Sequence, residues 1–132
     1  MSKNILIIGG GTGGHISPGI ALYEKLGEDG TMNPVFLTGK KDLRFGFFND
    51  IDRAKLNTYD APSLTRNPFK VFFFLLKFLF SFLKAVKVIR KNNIDAVVGM
   101  GGYVSAPALL AARFLRTPIF LCEQNTVPGK VT

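Results

Sequence analysis

Two periodicities divide this chain. Ile5-Leu6-Ile7-Ile8 is a continuous apolar run closed by glycines, the pattern of a strand buried on both faces. Pro34-Val35-Phe36-Leu37-Thr38, Asp95-Ala96-Val97-Val98 and Pro118-Ile119-Phe120-Leu121-Cys122 read the same way. Between them the apolar spacing turns helical. One helix is predicted from Ser17 to about Gly27, with Pro18 in its first turn, where a missing N–H costs nothing. A long helix is predicted from about Asn67 to Asn92 with Pro68 at its start, and a third from Ser105 to Leu115, with Ser105 as its N-cap. The poorly patterned stretch from Gly39 to Pro62 is assigned a short helix near Leu43–Phe48 and a strand near Ala54–Asn57. Strands alternating with helices predict an α/β fold, a Rossmann-like doubly wound parallel sheet, in one domain over residues 1–132.

That order gathers chemistry at one edge. Three loops, Gly9–His15, Gly99–Tyr103 and Glu123–Gly129, each follow a strand, and in an open parallel sheet such loops converge at the carboxyl ends, where ligands bind. Gly9-Gly10-Gly11-Thr12-Gly13-Gly14-His15 lets the backbone approach a ligand without Cβ atoms, ahead of a helix N-terminus that favours phosphate. As G-x-G-x-x-G it is a poor dinucleotide fingerprint, because Thr38-Gly39-Lys40-Lys41 stands where an acid is expected; no Gly-Lys-Ser/Thr makes it a P-loop. His15, the one histidine, sits where loop meets helix and can take a hydroxyl proton near neutral pH. Gly99-Met100-Gly101-Gly102-Tyr103-Val104-Ser105 repeats the strand–glycine–helix device, and Glu123-Gln124-Asn125 supplies a carboxylate and two amides suited to sugar hydroxyls.

Charge changes the picture at the long helix. The formal net charge is +8, and Ala61–Ile94 holds Arg66, Lys70, Lys77, Lys84, Lys87, Arg90 and Lys91 without an acid, together with seven of the thirteen phenylalanines. Lys70, Lys77, Lys84 and Lys91 recur every seven residues, a stripe that drifts by about 20° per step. Basic residues set among Phe73, Phe74, Phe78 and their neighbours at helical spacing suit an anionic lipid surface; no nucleic-acid motif is visible, and no nucleic-acid partner is expected. As a transmembrane span, Lys77 and Lys84 would cost about 5–7 kcal/mol against about 4–9 returned by the apolar residues. Topology decides: a span would separate the glycine loops, so the helix is expected to lie in the interface. The single Cys122 excludes an internal disulfide and fits a reducing compartment. The residues before Ile5 are too few for a signal peptide, so the domain is expected to start in the cytoplasm.

Taken together, Gly10-Gly11-Thr12-Gly13-Gly14-His15 with Pro18, Gly99-Met100-Gly101-Gly102-Tyr103-Val104-Ser105, and Glu123-Gln124-Asn125 with Pro128-Gly129 closely resemble the N-terminal domain of the MurG family. These are peripheral-membrane N-acetylglucosaminyltransferases of peptidoglycan synthesis with the two-domain GT-B fold. The resemblance implies transfer of GlcNAc from UDP-GlcNAc to the C4 hydroxyl of lipid I, giving lipid II with inversion, at the cytoplasmic face of the plasma membrane. It implies His15 as general base with Glu123 as rival, and Thr12, Gly13 and Gly14 lining the acceptor around its diphosphate. Tyr103 and Ser105 would flank the crevice, and Asn125 would touch the donor sugar. It implies membrane binding through Lys70, Phe73, Phe74, Lys77, Phe78 and Lys84, and no metal or cofactor.

Two departures qualify it. Cys122 stands where the family usually has His before Glu-Gln-Asn, which alters how Glu123 is held. A complete member would also add about one helix and strand and then a UDP-sugar domain, so these residues are expected to be inactive alone. Two other readings are a standalone membrane-docking subunit of a two-chain lipid-linked-sugar transferase, and an NADP-binding Rossmann module using Lys40, Lys41 and Arg44. The glycine loops give the last no support.

Overall fold

The structure, a computed structural model, describes residues 2–28, 30–62 and 66–122. Five strands, β1 (Lys3–Ile8), β2 (Met32–Gly39), β3 (Leu56–Tyr59), β4 (Ala96–Gly99) and β5 (Ile119–Leu121), lie parallel in the order β3-β2-β1-β4-β5. Among the described residues three α-helices, α1 (Gly13–Gly27), α2 (Pro68–Lys91) and α3 (Ala106–Phe114), join these strands in an α/β fold. The chain steps outward from β1 to β3, then α2 carries it back across to β4. The crevice between β1 and β4 is therefore the topological switch point, where open α/β sheets bind ligands.

Alternation along β1 divides the core into two layers. Ile5 and Ile7 pack with Ile16, Phe36 and Met100 on the α1 side, and Leu6 and Ile8 pack with Ala85, Val88 and Ile89 of α2 and Ala108 and Ala111 of α3 on the other. Burial on both faces explains the unbroken apolar run, since neither set of alternate positions meets water. Alanines at the α2 and α3 contacts let both helices approach the sheet closely.

The termini of α2 follow from its sequence. The Asn67 side chain accepts a hydrogen bond from Phe69 N, Pro68 occupies the first turn, and Asn92 closes the far end. At 24 residues the helix is about 36 Å long, whereas the eight residues of β2 extend about 26 Å. Its buried residues are Ser81, Ala85, Val88 and Ile89, all in the second half. Because α2 runs antiparallel to the strands, the surplus at its start projects past their carboxyl ends. That is the edge from which the glycine loops emerge.

Three elements depart from expectation. Helix α1 begins at Gly13 rather than Ser17, so Pro18 lies inside it and offers no N–H to the carbonyl four residues back, that of Gly14. The short helix expected near Leu43–Phe48 is a 3-10 turn over Lys40–Phe45, and the strand expected near Ala54–Asn57 is a 3-10 turn over Arg53–Lys55 followed by β3. Ser105 precedes α3 without capping it; its side chain is used elsewhere. Among the described residues no helix is long and apolar enough to cross a membrane.

Candidate functional site

Two glycine loops meet at the switch point. The β1–α1 loop and the β4–α3 loop touch so closely that a Cβ on Gly102 would lie 2.6 Å from the Gly10 carbonyl oxygen and 3.0 Å from His15 Nδ1. Gly102 also holds φ at +85°, so two independent constraints select glycine there. A Cβ on Gly11, at φ +89°, would press on the Tyr103 ring at 3.2 Å. The half-buried His15 imidazole lies in the space these missing side chains leave, with a Cβ on Gly101 3.4 Å from its Nε2. Thr12 Oγ1 sits 3.1 Å from His15 Nδ1 and holds the ring from the loop side. Nε2 is thus the ring nitrogen left for a ligand.

The first turn of α1 adds backbone donors. Thr12 is its N-cap residue, with extended φ and ψ and a carbonyl that accepts from the amides of His15 and Ile16. The amides of Gly13 and Gly14 have no intrahelical acceptor, as the first amides of any helix do not. Phe47 shields one side, its ring 3.5 Å from where a Cβ on Gly13 would be.

Asp42 is the residue the sequence reading missed. It follows β2 in the 3-10 turn and is only 4% exposed. One carboxylate oxygen accepts from Gly11 N at 2.9 Å; the other accepts from Gly39 N at 3.1 Å and from the Thr38 hydroxyl at 3.2 Å. One side chain therefore ties the end of β2 to the apex of the glycine loop. An acid in a dinucleotide-binding fold would reach outward to a ribose; this one reaches inward, and its negative charge fills the position a phosphate would take at the Gly11 amide. That arrangement disfavours the NADP reading. The available signal was an acid three residues after Gly39, placed to bond back to the amide that opens its turn.

Ser105 and Tyr103 serve different sides of the second loop. Ser105 is fully buried, and its hydroxyl donates to the Gly101 carbonyl at 2.7 Å. That bond braces the loop internally. Tyr103 is half-buried against Gly11. Below them the Tyr59 hydroxyl donates to the Val104 carbonyl, and burial pushes its phenol well above the usual range. The Ala108 backbone opposes that shift and the Asp42 carboxylate adds to it. Glu123 and Asn125 lie outside the described residues. Among the described residues no cluster of His, Cys, Asp and Glu is placed to hold a metal.

On α2, Phe69, Phe72, Phe73 and Phe80 are 88, 64, 61 and 66% exposed. Phe74 and Phe78 are half-buried, their rings 6.2 Å apart. Lys70, Lys77 and Lys84 are exposed along the boundary between this apolar arc and the buried face. Lys77 Nζ lies 3.7 Å from an Asp60 carboxylate oxygen, and Ser81, within the same band, donates to the Asp60 carbonyl.

A doubly wound sheet in this order, with paired glycine loops around a histidine at its switch point, has the Rossmann-like architecture of a GT-B glycosyltransferase domain. A crystal structure of MurG from Acinetobacter baumannii superposes with a TM-score of 0.80 at 28% identity, covering 98% of this chain and 37% of that one. The chain belongs to glycosyltransferase family 28: residues 5–132 match its N-terminal domain. The UDP-N-acetylglucosamine–N-acetylmuramyl-(pentapeptide) pyrophosphoryl-undecaprenol N-acetylglucosamine transferase of Prochlorococcus marinus is 38% identical over the whole chain, and that of Protochlamydia amoebophila 39% identical over 98% of it. The chain spans about a third of these relatives, 36% and 35%. A UDP-GlcNAc 2-epimerase from Neisseria meningitidis shares the fold at 14% identity, with a TM-score of 0.65 over 89% of this chain and 31% of that one.

Proposed function

We propose that this chain forms the acceptor- and membrane-binding half of an inverting transferase that moves GlcNAc from UDP-GlcNAc onto the C4 hydroxyl of lipid I, yielding lipid II for peptidoglycan. The observation that carries the reading is the shared edge: the loops enclosing His15 and the exposed apolar half of α2 both stand at the carboxyl ends of the strands. A lipid-linked sugar held in a bilayer under α2 could reach that edge sideways. The protein then works peripherally, at the cytoplasmic face of the plasma membrane. Lys70, Lys77 and Lys84 meet anionic headgroups while Phe73, with Phe74 and Phe78 behind it, meets acyl chains.

In this reading His15 Nε2 accepts the proton of the acceptor hydroxyl as its oxygen bonds to the anomeric carbon of GlcNAc. The bond from that carbon to the UDP oxygen breaks on the opposite face, which inverts the centre. For Nε2 to accept, the ring proton must reside on Nδ1 and be donated to Thr12 Oγ1, a contact consistent with the 3.1 Å separation. The amides of Thr12, Gly13 and Gly14 suit the acceptor's diphosphate. Tyr103 and Ser105 are assigned to the border of the crevice, Ser105 through the loop carbonyl of Gly101 to which its hydroxyl donates. Asn125 is assigned to the donor sugar and Glu123 is the rival base. The UDP site belongs to a second domain.

The test is steady-state transfer by a full-length enzyme carrying His15→Ala. We expect kcat to fall about 100- to 10,000-fold with donor KM nearly unchanged. A kcat near that of the parent would remove His15 from the chemistry and leave Glu123 as the base.

A further inference from the structure

Between the end of β3 and the middle of α2 lies a cavity of about 260 Å³ lined by Lys40, Thr58, Asp60, Lys77, Phe80 and Lys84. Its cations come from two elements: Lys40 from the residue after β2, Lys77 and Lys84 from α2, two turns apart around Ser81. Three positive charges face one carboxylate, that of Asp60, which is engaged by Lys77. Among the described residues Lys40 and Lys84 have no acid within ion-pair distance. The wall is also partly apolar through Phe80, which belongs to the exposed phenylalanine arc of the helix.

We infer that this cavity seats the phosphate of an anionic bilayer phospholipid. Unpaired lysines with a hydroxyl nearby, that of Thr58, suit a phosphodiester, which carries charge and several acceptor oxygens. The adjoining apolar arc distinguishes a lipid phosphate from a free one. A phosphate tethered to acyl chains satisfies the lysines and covers Phe80 together, whereas a soluble ion satisfies only the lysines. The lipid source rests on the membrane-docking reading above; the site itself does not. A narrow cleft that shares Lys40 and Asp60 runs on to Asp42 and Tyr103. A lipid held here would therefore mark the bilayer surface beside the entrance to the glycine loops.

Two measurements test this. First, the chain is titrated with dihexanoyl phosphatidylglycerol below its micelle concentration and followed by amide NMR. Saturable shifts are expected at Thr58, Ser81 and Lys84, and they should vanish in Lys40→Glu and weaken in Lys84→Gln. No saturable shift, or shifts that survive both changes, overturns the site; inorganic phosphate saturating the same amides at no higher concentration overturns the lipid assignment. Second, flotation compares phosphatidylcholine vesicles with vesicles containing about one third phosphatidylglycerol. Lys40→Glu should reduce the phosphatidylglycerol-dependent partitioning at least about tenfold, and Lys3→Glu, the same charge change at the amino ends of the strands, less than about twofold. Equal losses would reduce the effect to net charge and overturn the site. A Phe72→Ser, Phe73→Ser variant that floats like the parent would instead defeat membrane docking, with the NMR titration still deciding the cavity.

Discussion

Replacing Asp42 with alanine should cost this fold about 3 kcal/mol. The carboxylate satisfies the Gly11 amide, the Gly39 amide and the Thr38 hydroxyl, and Thr38 and Asp42 are 0% and 4% exposed. Each buried donor left without a partner costs about 1–3 kcal/mol. The partly buried Gly11 amide is open enough to recover its bond from water, so the lasting losses are at Gly39 and Thr38, about 2–6 kcal/mol together. Relief of a desolvated carboxylate offsets some of this, which brings the expectation to the lower half of that range. Asp42→Asn should cost less than alanine, because one oxygen still accepts, although its amide now faces other donors. Urea denaturation of parent and variants, followed by circular dichroism with a common m-value, measures the difference. An alanine variant within about 0.5 kcal/mol of the parent, the range of an ordinary surface change, would refute the argument. The glycine loop would then be held by its own backbone preferences and not by the tie to β2.

Gly102→Ala should destabilise by more than about 2 kcal/mol, combining a strained positive φ with the collision against the Gly10 carbonyl. Gly30→Ala, at φ +72° with open space around it, should cost only about 1 kcal/mol; equal costs in thermal unfolding would show that the two loops do not constrain each other. Tyr59→Phe should lose about 1 kcal/mol with the bond to the Val104 carbonyl. Its pH profile has a definite sign. The folded phenol is raised by burial above its unfolded value of about 10, so its contribution is complete below about pH 10 and declines as pH rises beyond it. The variant should lack that part of the alkaline decline, and a decline identical to the parent's would contradict the assignment.

How much of this was legible in the sequence depends on where each signal sits. The ends of α2 were readable because Asn67, Pro68 and Asn92 are local signals, and the observed Pro68–Lys91 lies one residue inside the expected bounds at each end. The sheet was readable because strands buried on both faces cannot hide their apolar runs. The start of α1 was not, because Gly13 and Gly14 have poor intrinsic preference for helix and their placement there is imposed by the loop contacts. Asp42 escaped notice because its most informative partner, Gly11, is 31 residues away and contributes only a backbone amide. Serine often caps a helix, but Ser105 has helical φ and ψ of −74° and −23° where a cap residue is normally extended, and its hydroxyl donates back to the Gly101 carbonyl. Glu123 and Asn125 fall outside the described residues.

The overhang of α2 separates two selective pressures. None of its first thirteen residues is buried; the first buried position is Ser81. Folding therefore gains little from Phe69, Phe72 or Phe73, and their replacement should leave the unfolding transition almost unmoved. The face presented by those turns is free to drift in sequence with the lipids a cell happens to make, while the layers around Leu6 and Ile8 stay fixed. The same independence predicts a penalty at the bench: aromatic surface that the fold leaves uncovered should draw molecules of this chain together in plain buffer, and replacing it should raise solubility without moving stability.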